Sequence, residues 1–472
     1  MSKLTVGTLR PSEAFTVPLQ TTSVRNATNH VVGSIIYNTD TGAAQVLTSN
    51  DGWLNLGKGK VQATGGTVTE PGDGYKYHAY TQTGNTYTFS VTSAGFQASI
   101  ELLVVAGGGG GGGSHGGGGG GGAGGVIWQP QWFPAVGDYT VKVGSGGAAG
   151  PTGSFYTNGY YYTGQGDGNF FHGRRGEDSY LRKTNDSQLT FLAMGGGGGM
   201  ESFYTNNEQR TKTSSNYWGK TDGFEERDGG SGGGSGDHYT GVQSWVTHNT
   251  GGRCTQGNFG GYGYGNSGGG RFAWGVGPHN GPYNRKNNGE YPSGNGGSDG
   301  GYMPANYGMN GHGQDTGHGQ PHEGAGGGGA GGYELGRNGS DTDYGQVNWP
   351  ATVKSWANDA PGSGGPGRYF PGFEAWGTTE TNGTSGNKGW FAGGGDGGQY
   401  WYATNGDRGE NNKGGGGGRG NHQHNGYYAT NGLANTGGGG GGGSQNNAGG
   451  GNQSGQPAGA GGSGIVLIRY KV

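Results

Sequence analysis

The sequence predicts an all-β and irregular fold with little or no α-helix. A small N-terminal β-hairpin module, residues 1–62, is expected to precede a glycine-rich domain, residues 63–472, of packed polyglycine II helices framed by β-strands. Three observations carry this. Glycine supplies 127 of 472 residues, and much of it stands in uninterrupted blocks, among them 107–113, 116–122, 195–199, 414–418 and 437–443. Between positions 193 and 464 there is no Ile and only two Leu, Leu335 and Leu433, so a conventional aliphatic core cannot extend across that stretch. Apolar runs stand on either side of it, at 100–106, with Glu101 inside the run, and at 465–468.

Taken in order, residues 31–37 form a strand-forming run, 38–42 (NTDTG) carry turn chemistry, 43–48 return, and 53–56 close after a second turn. Hairpins this short are marginal alone, so copies of the chain are expected to stabilise them. YKYHAY from Tyr75 and TYTFSV from Thr86 alternate aromatic with polar residues around a QTGN turn, the pattern of a half-exposed hairpin. SIELLVVA then runs directly into seven glycines, and GSGIVLIRYKV ends the chain. First and last apolar strands are expected to pair, with the intervening residues an excursion from their sheet. A run without side chains cannot fill a sheet core, but it can form an extended helix of three residues per turn with every N–H and C=O pointing outward. Several such runs side by side satisfy one another's amides. The strict Gly-X-Y triplet of collagen is absent, and echoes such as SFYTN and YATNG share no fixed period.

Glycine at this level also suits a disordered chain. Against that stand a net charge of only −3 and 28 Tyr, 15 Phe and 11 Trp, more buriable ring area than a solvated tail carries. The near-neutral charge gives no field for nucleic acid or anionic lipid, and no run is long enough to insert in a membrane. The N-terminus shows no secretory apolar region. Cys254 is alone, so neither an intrachain disulfide nor a thiolate metal cluster is available, and no cofactor is expected.

Glycine runs match the dinucleotide fingerprint GxGxxG trivially, yet no helix-forming residues follow 107–113. The GxSxG match at Gly229, Ser231 and Gly233 lacks the preceding strand of a nucleophile elbow. Acidic residues are scattered among turns rather than paired, so no enzyme activity is expected. His422 and His424 alternate in NHQHNG and could present imidazoles to a metal on one side, or be solvated loop residues. The loops 200–228, 237–310 and 333–391 combine Tyr, Ser, Gly and Asn with Trp, the composition of adaptable recognition surfaces. Trp218, Trp245, Trp274, Trp349, Trp356 and Trp376 are the candidate receptor-binding anchors; each could instead cap the glycine framework.

ELLVVAGGGGGGG, GDYTVKVGSGGAAG, GEDSYL, LTFLAMGGGGG and GSGIVLIRY together resemble the glycine-rich domain at the receptor-binding end of bacteriophage tail fibres and related adhesins. The stretch GSIIYNTDTGAAQVLTSNDGWLNL resembles a short β repeat of phage fibre N-termini. The first resemblance implies parallel polyglycine helices, homotrimeric fibres and recognition of a host-surface glycan or protein by the loops. It also implies a virion location, with the N-terminus joining other tail proteins. This chain departs in its long central loops and short central glycine blocks. A self-assembling extracellular filament subunit is the alternative.

Overall fold

The computed structural model describes residues 17–49, 52–55, 60–94, 98–113, 117–151, 156–157, 160–161, 172–184, 186, 190–200, 203–204, 226–234, 236, 238–239, 251–266, 268, 326–331, 364–379, 388–398, 414–421, 428–446, 454–455 and 457–472. The fold is built of strands and irregular backbone, with one short helix, α1 (Thr22–Ala27), among the described residues. Thr21 caps α1 by accepting the Val24 N–H on its side chain. The N-terminal sheet has the order β1 (Leu19–Gln20), β2 (Ile35–Asn38), β3 (Ala43–Leu47), β4 (Trp53–Asn55).

Two larger sheets follow, built from β5 (Gln62–Thr64), β6 (Thr67–Thr69), β7 (Tyr75–Tyr80), β8 (Thr86–Ser93), β9 (Ile100–Val105), β10 (Val126–Trp132), β11 (Gly137–Lys142), β12 (Ser179–Lys183), β13 (Thr190–Ala193), β14 (Tyr262–Tyr264) and β15 (Ile465–Lys471). One has the order β14-β10-β9-β15-β7-β6 and the other β13-β12-β11-β8-β5. The final strand β15 lies antiparallel between β9 and β7, with Leu467 opposite Leu103, so the two ends of the long excursion do meet in one sheet. Between the sheets Leu102, Val104, Phe89, Tyr139, Phe191 and Ile468 form one core. On the other face of the six-stranded sheet Leu103, Val105 and Leu467 pack on Phe370, Phe373 and Phe391 from residues 364–392. Burial on both faces explains why β9 and β15 read as continuous apolar runs rather than as alternation.

The glycine runs leave this sandwich as a second kind of core. Gly107 and Gly110 donate to Glu177 and Arg174; Gly108 and Gly111 donate to Gly462 and Gly459; Gly109 and Gly112 donate to Gly122 and Gly119. Their carbonyls repeat the rule: Gly107 and Gly110 accept from Gly196 and Gly199, Gly108 and Gly111 from Gly147 and Gly150, Gly109 and Gly112 from Gly440 and Gly443. Every third residue therefore meets the same neighbour, three positions along, which is the period a threefold extended helix imposes. Run 107–112 thus has six neighbouring segments. Run 117–125 also has six, bonding 106–112, 437–443, 194–200, 395–398, 231–234 and Gly328. Run 437–443 is the third, bonding 109–112, 118–124, 393–396, 418–421, 459–462 and Thr430. The three seven-glycine blocks of the sequence are therefore fully surrounded members of a hexagonal backbone array, as is run 229–234, which bonds 120–123, 195–200, Arg227, 252–255, Asn266 and Gly328; the described residues of all four are buried.

Peripheral segments need glycine only where they face inward. In 172–177 Gly173 and Gly176 are buried while Arg174 and Glu177 are exposed; in 144–151 Gly144, Gly147 and Gly150 are buried and Ala148 is exposed.

Candidate functional site

The array has two unlike ends. At the near end β9 enters run 107–113, run 117–125 leaves into β10, β11 leads to Gly144, Glu177 leads to β12, β13 leads to Met194, β14 leads to Gly265, and Gly464 leads into β15. At the far end the hydrogen-bonded levels close with Gly112, Gly150, Met200, Gly234, Asn421 and Gly443. There Gly113, Pro151, Gly268 and Asn421 carry the chain away from the array. Segment 326–331 ends instead on the sandwich side, where Ala330 packs in the cluster with Leu103 and Val105.

Of the expected anchors, the described residues contain Trp376 alone. It is half-buried on the outer face of the six-stranded sheet, its ring 5.4 Å from Tyr77 at 43°, and it packs against the Phe370–Phe373–Phe391 cluster. Trp218, Trp245, Trp274, Trp349 and Trp356, and the histidines His422 and His424, lie outside the described residues.

Beside Trp376 is a polar cluster that the sequence reading had not singled out. β15 pairs with β9 so that Arg469 stands opposite Glu101. The guanidinium donates to Glu101 Oε2 from Nε at 2.7 Å and Nη2 at 2.6 Å, while Trp128 Nε1 donates to Oε1 at 2.9 Å. The Tyr75 ring lies 4.6 Å and the Phe373 ring 5.3 Å from the guanidinium carbon. Nearby, Tyr77 donates its hydroxyl to Asp73 at 2.6 Å and holds that carboxyl below its ordinary range. Both Glu101 oxygens are occupied, so the cluster clamps segment 364–379 to the sheet rather than offering an acid or base. A signal for it existed: Glu101 and Arg469 each interrupt an otherwise apolar run.

Two other titratable groups are equally committed to structure. His78 sits between the sheets with Nδ1 2.7 Å from the Gly65 carbonyl and Nε2 3.0 Å from the Tyr470 hydroxyl. A carbonyl only accepts, so Nδ1 carries the proton and Nε2 accepts from Tyr470. Cys254 donates its thiol to the Gly230 carbonyl at 3.0 Å, and burial pushes it up to about 11, far from a reactive thiolate. Among the described residues no group of three or more His, Cys, Asp or Glu is placed to hold a metal ion, and no helix is long and apolar enough to cross a membrane.

Fold and site together define a class: a β-sandwich carrying, at one end, an array of backbone segments without side chains. No protein-family model matches the chain, and a search of curated proteins finds no match.

Proposed function

We propose that this chain is a structural fibre protein with an adhesin role, the receptor-binding part of a bacteriophage tail fibre, and not an enzyme. The observation that supports it is the division of the molecule. A backbone array bonded on six sides gives a stiff support, and the chain leaves it after Gly113, Pro151, Gly268 and Asn421 at the end opposite the sandwich. Glycine carries no recognition chemistry, so specificity falls to the Trp- and Tyr-rich excursions, whose rings stack on sugar faces or protein anchors while Asn and Ser supply adaptable hydrogen bonds. The partner is a glycan or protein on the host surface, and the N-terminal module joins the chain to other tail proteins and to copies of itself. Replacing residues 269–325 by a short Gly-Ser linker, or Trp274 and Trp356 by Ala, is expected to abolish adsorption to host cells at an unchanged melting temperature. Intact adsorption after both changes would reduce the excursions to packing material and overturn the reading.

A self-assembling extracellular filament would use the same array, and the exposed aliphatic side chains of the N-terminal module favour self-association. Electron microscopy of the purified chain separates the two readings. Discrete short particles support the adhesin, and unlimited fibres support the filament.

A further inference from the structure

The described segments of the array are tied to the sandwich in two different ways. Up to residue 268 the strands feed them directly. β9 and β10 flank runs 107–113 and 117–125, β11 leads to 144–151, and 172–177 leads to β12; β13 leads to 194–200, and 251–257 and 265–268 lie on either side of β14. Run 229–234 is bonded between 195–200 and 252–255. The described array segments from 326 to 464 share a single strand of the two large sheets, β15, which follows them all. Residues 368–369 and 390–391 pair in a separate two-stranded sheet. These later segments are nevertheless fixed at the sandwich end. Ser463, two positions before β15, accepts the Thr436 and Gly437 N–H groups on its carbonyl and the Asn435 N–H on Oγ at 2.9 Å, so run 437–443 starts from it. Thr436 in turn accepts from Ala392, and Ala392 from Ala330. On the outer face of the six-stranded sheet, Ile465 and Leu467 stand in the apolar cluster with Ala330, Phe370 and Phe391. Gly372, at φ 88°, lies directly against the Arg469 guanidinium.

β15 also joins the sheet on which these segments rest. It pairs with β7 on one side and β9 on the other, and β7 and β9 do not pair with each other. Without it the six-stranded sheet is two unjoined pieces, and the outer face is cut through its middle. A glycine run cannot hold a position alone, because it buries no side chain and its backbone loses more entropy on ordering than that of any other residue. We infer that β15 is the lock of the later half of the array: the described segments between 326 and 464 dock only when β15 has inserted between β7 and β9. Assembly of this half then runs against chain order, since the strand that fixes it comes after every segment it fixes. Loop-closure entropy grows only with the logarithm of length, so joining Arg469 to Glu101 across 368 positions costs little more than closing a far shorter loop. A chain halted short of residue 465 does not complete the array. The inference is independent of what the far end binds and of whether chains associate.

The test reads the accessibility of residue 330 in the full-length chain. Ala330 is 1% exposed, and Ala330→Cys in a Cys254→Ser background supplies a single thiol there; serine keeps a donor for the Gly230 carbonyl. Chains of all 472 residues are stalled on the ribosome behind linkers of two lengths, the shorter keeping β15 inside the exit tunnel and the longer clearing it. The thiol is expected to react with a maleimide at least about tenfold faster on the shorter linker, because segment 326–331 is open there and docked on the longer one. Equal rates on the two linkers, whether fast or slow, overturn the proposal. Refolding of the released chain from denaturant provides the second measurement. Val466→Cys, close in volume, places a thiol in β15 at a site that is 0% exposed, again in the Cys254→Ser background. Pulses of reagent during refolding date the burial of each site. Residue 466 is expected to be protected before residue 330 or together with it, and protection of 330 ahead of 466 also overturns the proposal.

Discussion

At the scale of single residues the glycines of the central runs are fixed by contact rather than by turn geometry. A Cβ on Gly110 would fall within the van der Waals radius of the Ala148 carbonyl oxygen, and one on Gly440 would meet the Gly459 carbonyl oxygen in the same way. Neither neighbour can retreat, because each is itself backbone held by other segments. Gly110→Val and Gly440→Val are therefore expected to cost upwards of ~3 kcal/mol, at the severe end of overpacking. Ala148→Val, whose side chain points to solvent, is expected to change stability by no more than about 0.5 kcal/mol. Chemical denaturation of the three variants checks this, and equal midpoints would count against a packed array. Arg469→Met leaves Glu101 half-shielded with only Trp128 for a partner and is expected to cost about 3 kcal/mol. The need for glycine in the seven-residue blocks was legible from composition, since nothing else there could pack. The peripheral glycines were not so legible. Their spacing of three, as at Gly144, Gly147 and Gly150, persists for only two or three turns before a side chain or loop interrupts it.

Among elements, the strands were legible in proportion to how many faces they bury. The runs at 75–80 and 100–105 were read almost to the residue, because a buried face imposes either alternation or continuity, while the terminal strand, expected at 465–468, runs on to Lys471. In the N-terminal module the strand expected at 31–37 begins only at Ile35, and the helix Thr22–Ala27 was not foreseen, since it buries none of its own residues and gives no apolar stripe. Of the six tryptophans proposed as anchors, Trp376 alone lies among the described residues, and its ring packs on the sheet through Tyr77. Element packing also sets an acid response. Burial lowers the His78 pKa, and burial together with the Arg174 guanidinium pulls His172 down to about 4. Both imidazoles stay neutral in the folded chain and take up protons on unfolding, so the unfolded state binds more protons below the ordinary value of 6.5. Stability is expected to be full above that pH and to fall towards pH 4. Melting curves of His172→Gln across this window should show a shallower fall, and an unaltered slope would refute the assignment.

For the whole molecule, two cores of opposite character share one chain: a sandwich held by apolar side chains and an array held chiefly by backbone amides, with side chains such as Asp178 and Asp396 accepting at its margins. Amides of Gly109, Gly121 and Gly440, each bonded into a fully surrounded run, are expected to exchange with solvent only on global unfolding, as slowly as those of β9. Hydrogen exchange that is fast in the array and slow in the sandwich would show that the array opens by itself. The pairing of chain ends in one sheet was foreseeable from two apolar runs; the hexagonal arrangement was not, since identical glycines do not say which run neighbours which. That anonymity has a consequence. Sliding a glycine run by one turn restores the same hydrogen bonds, so no run encodes its own register. Register is written in the strands that feed the array, where Leu103 must face Leu467 and Val126 must face Val105. A glycine inserted after Ala106 would misalign strand and run, whereas one inserted after Gly113 would be absorbed beyond the last bonded level. The sandwich therefore acts as an index, and a change of length beyond the last bonded level of the far end leaves the register of the fold untouched.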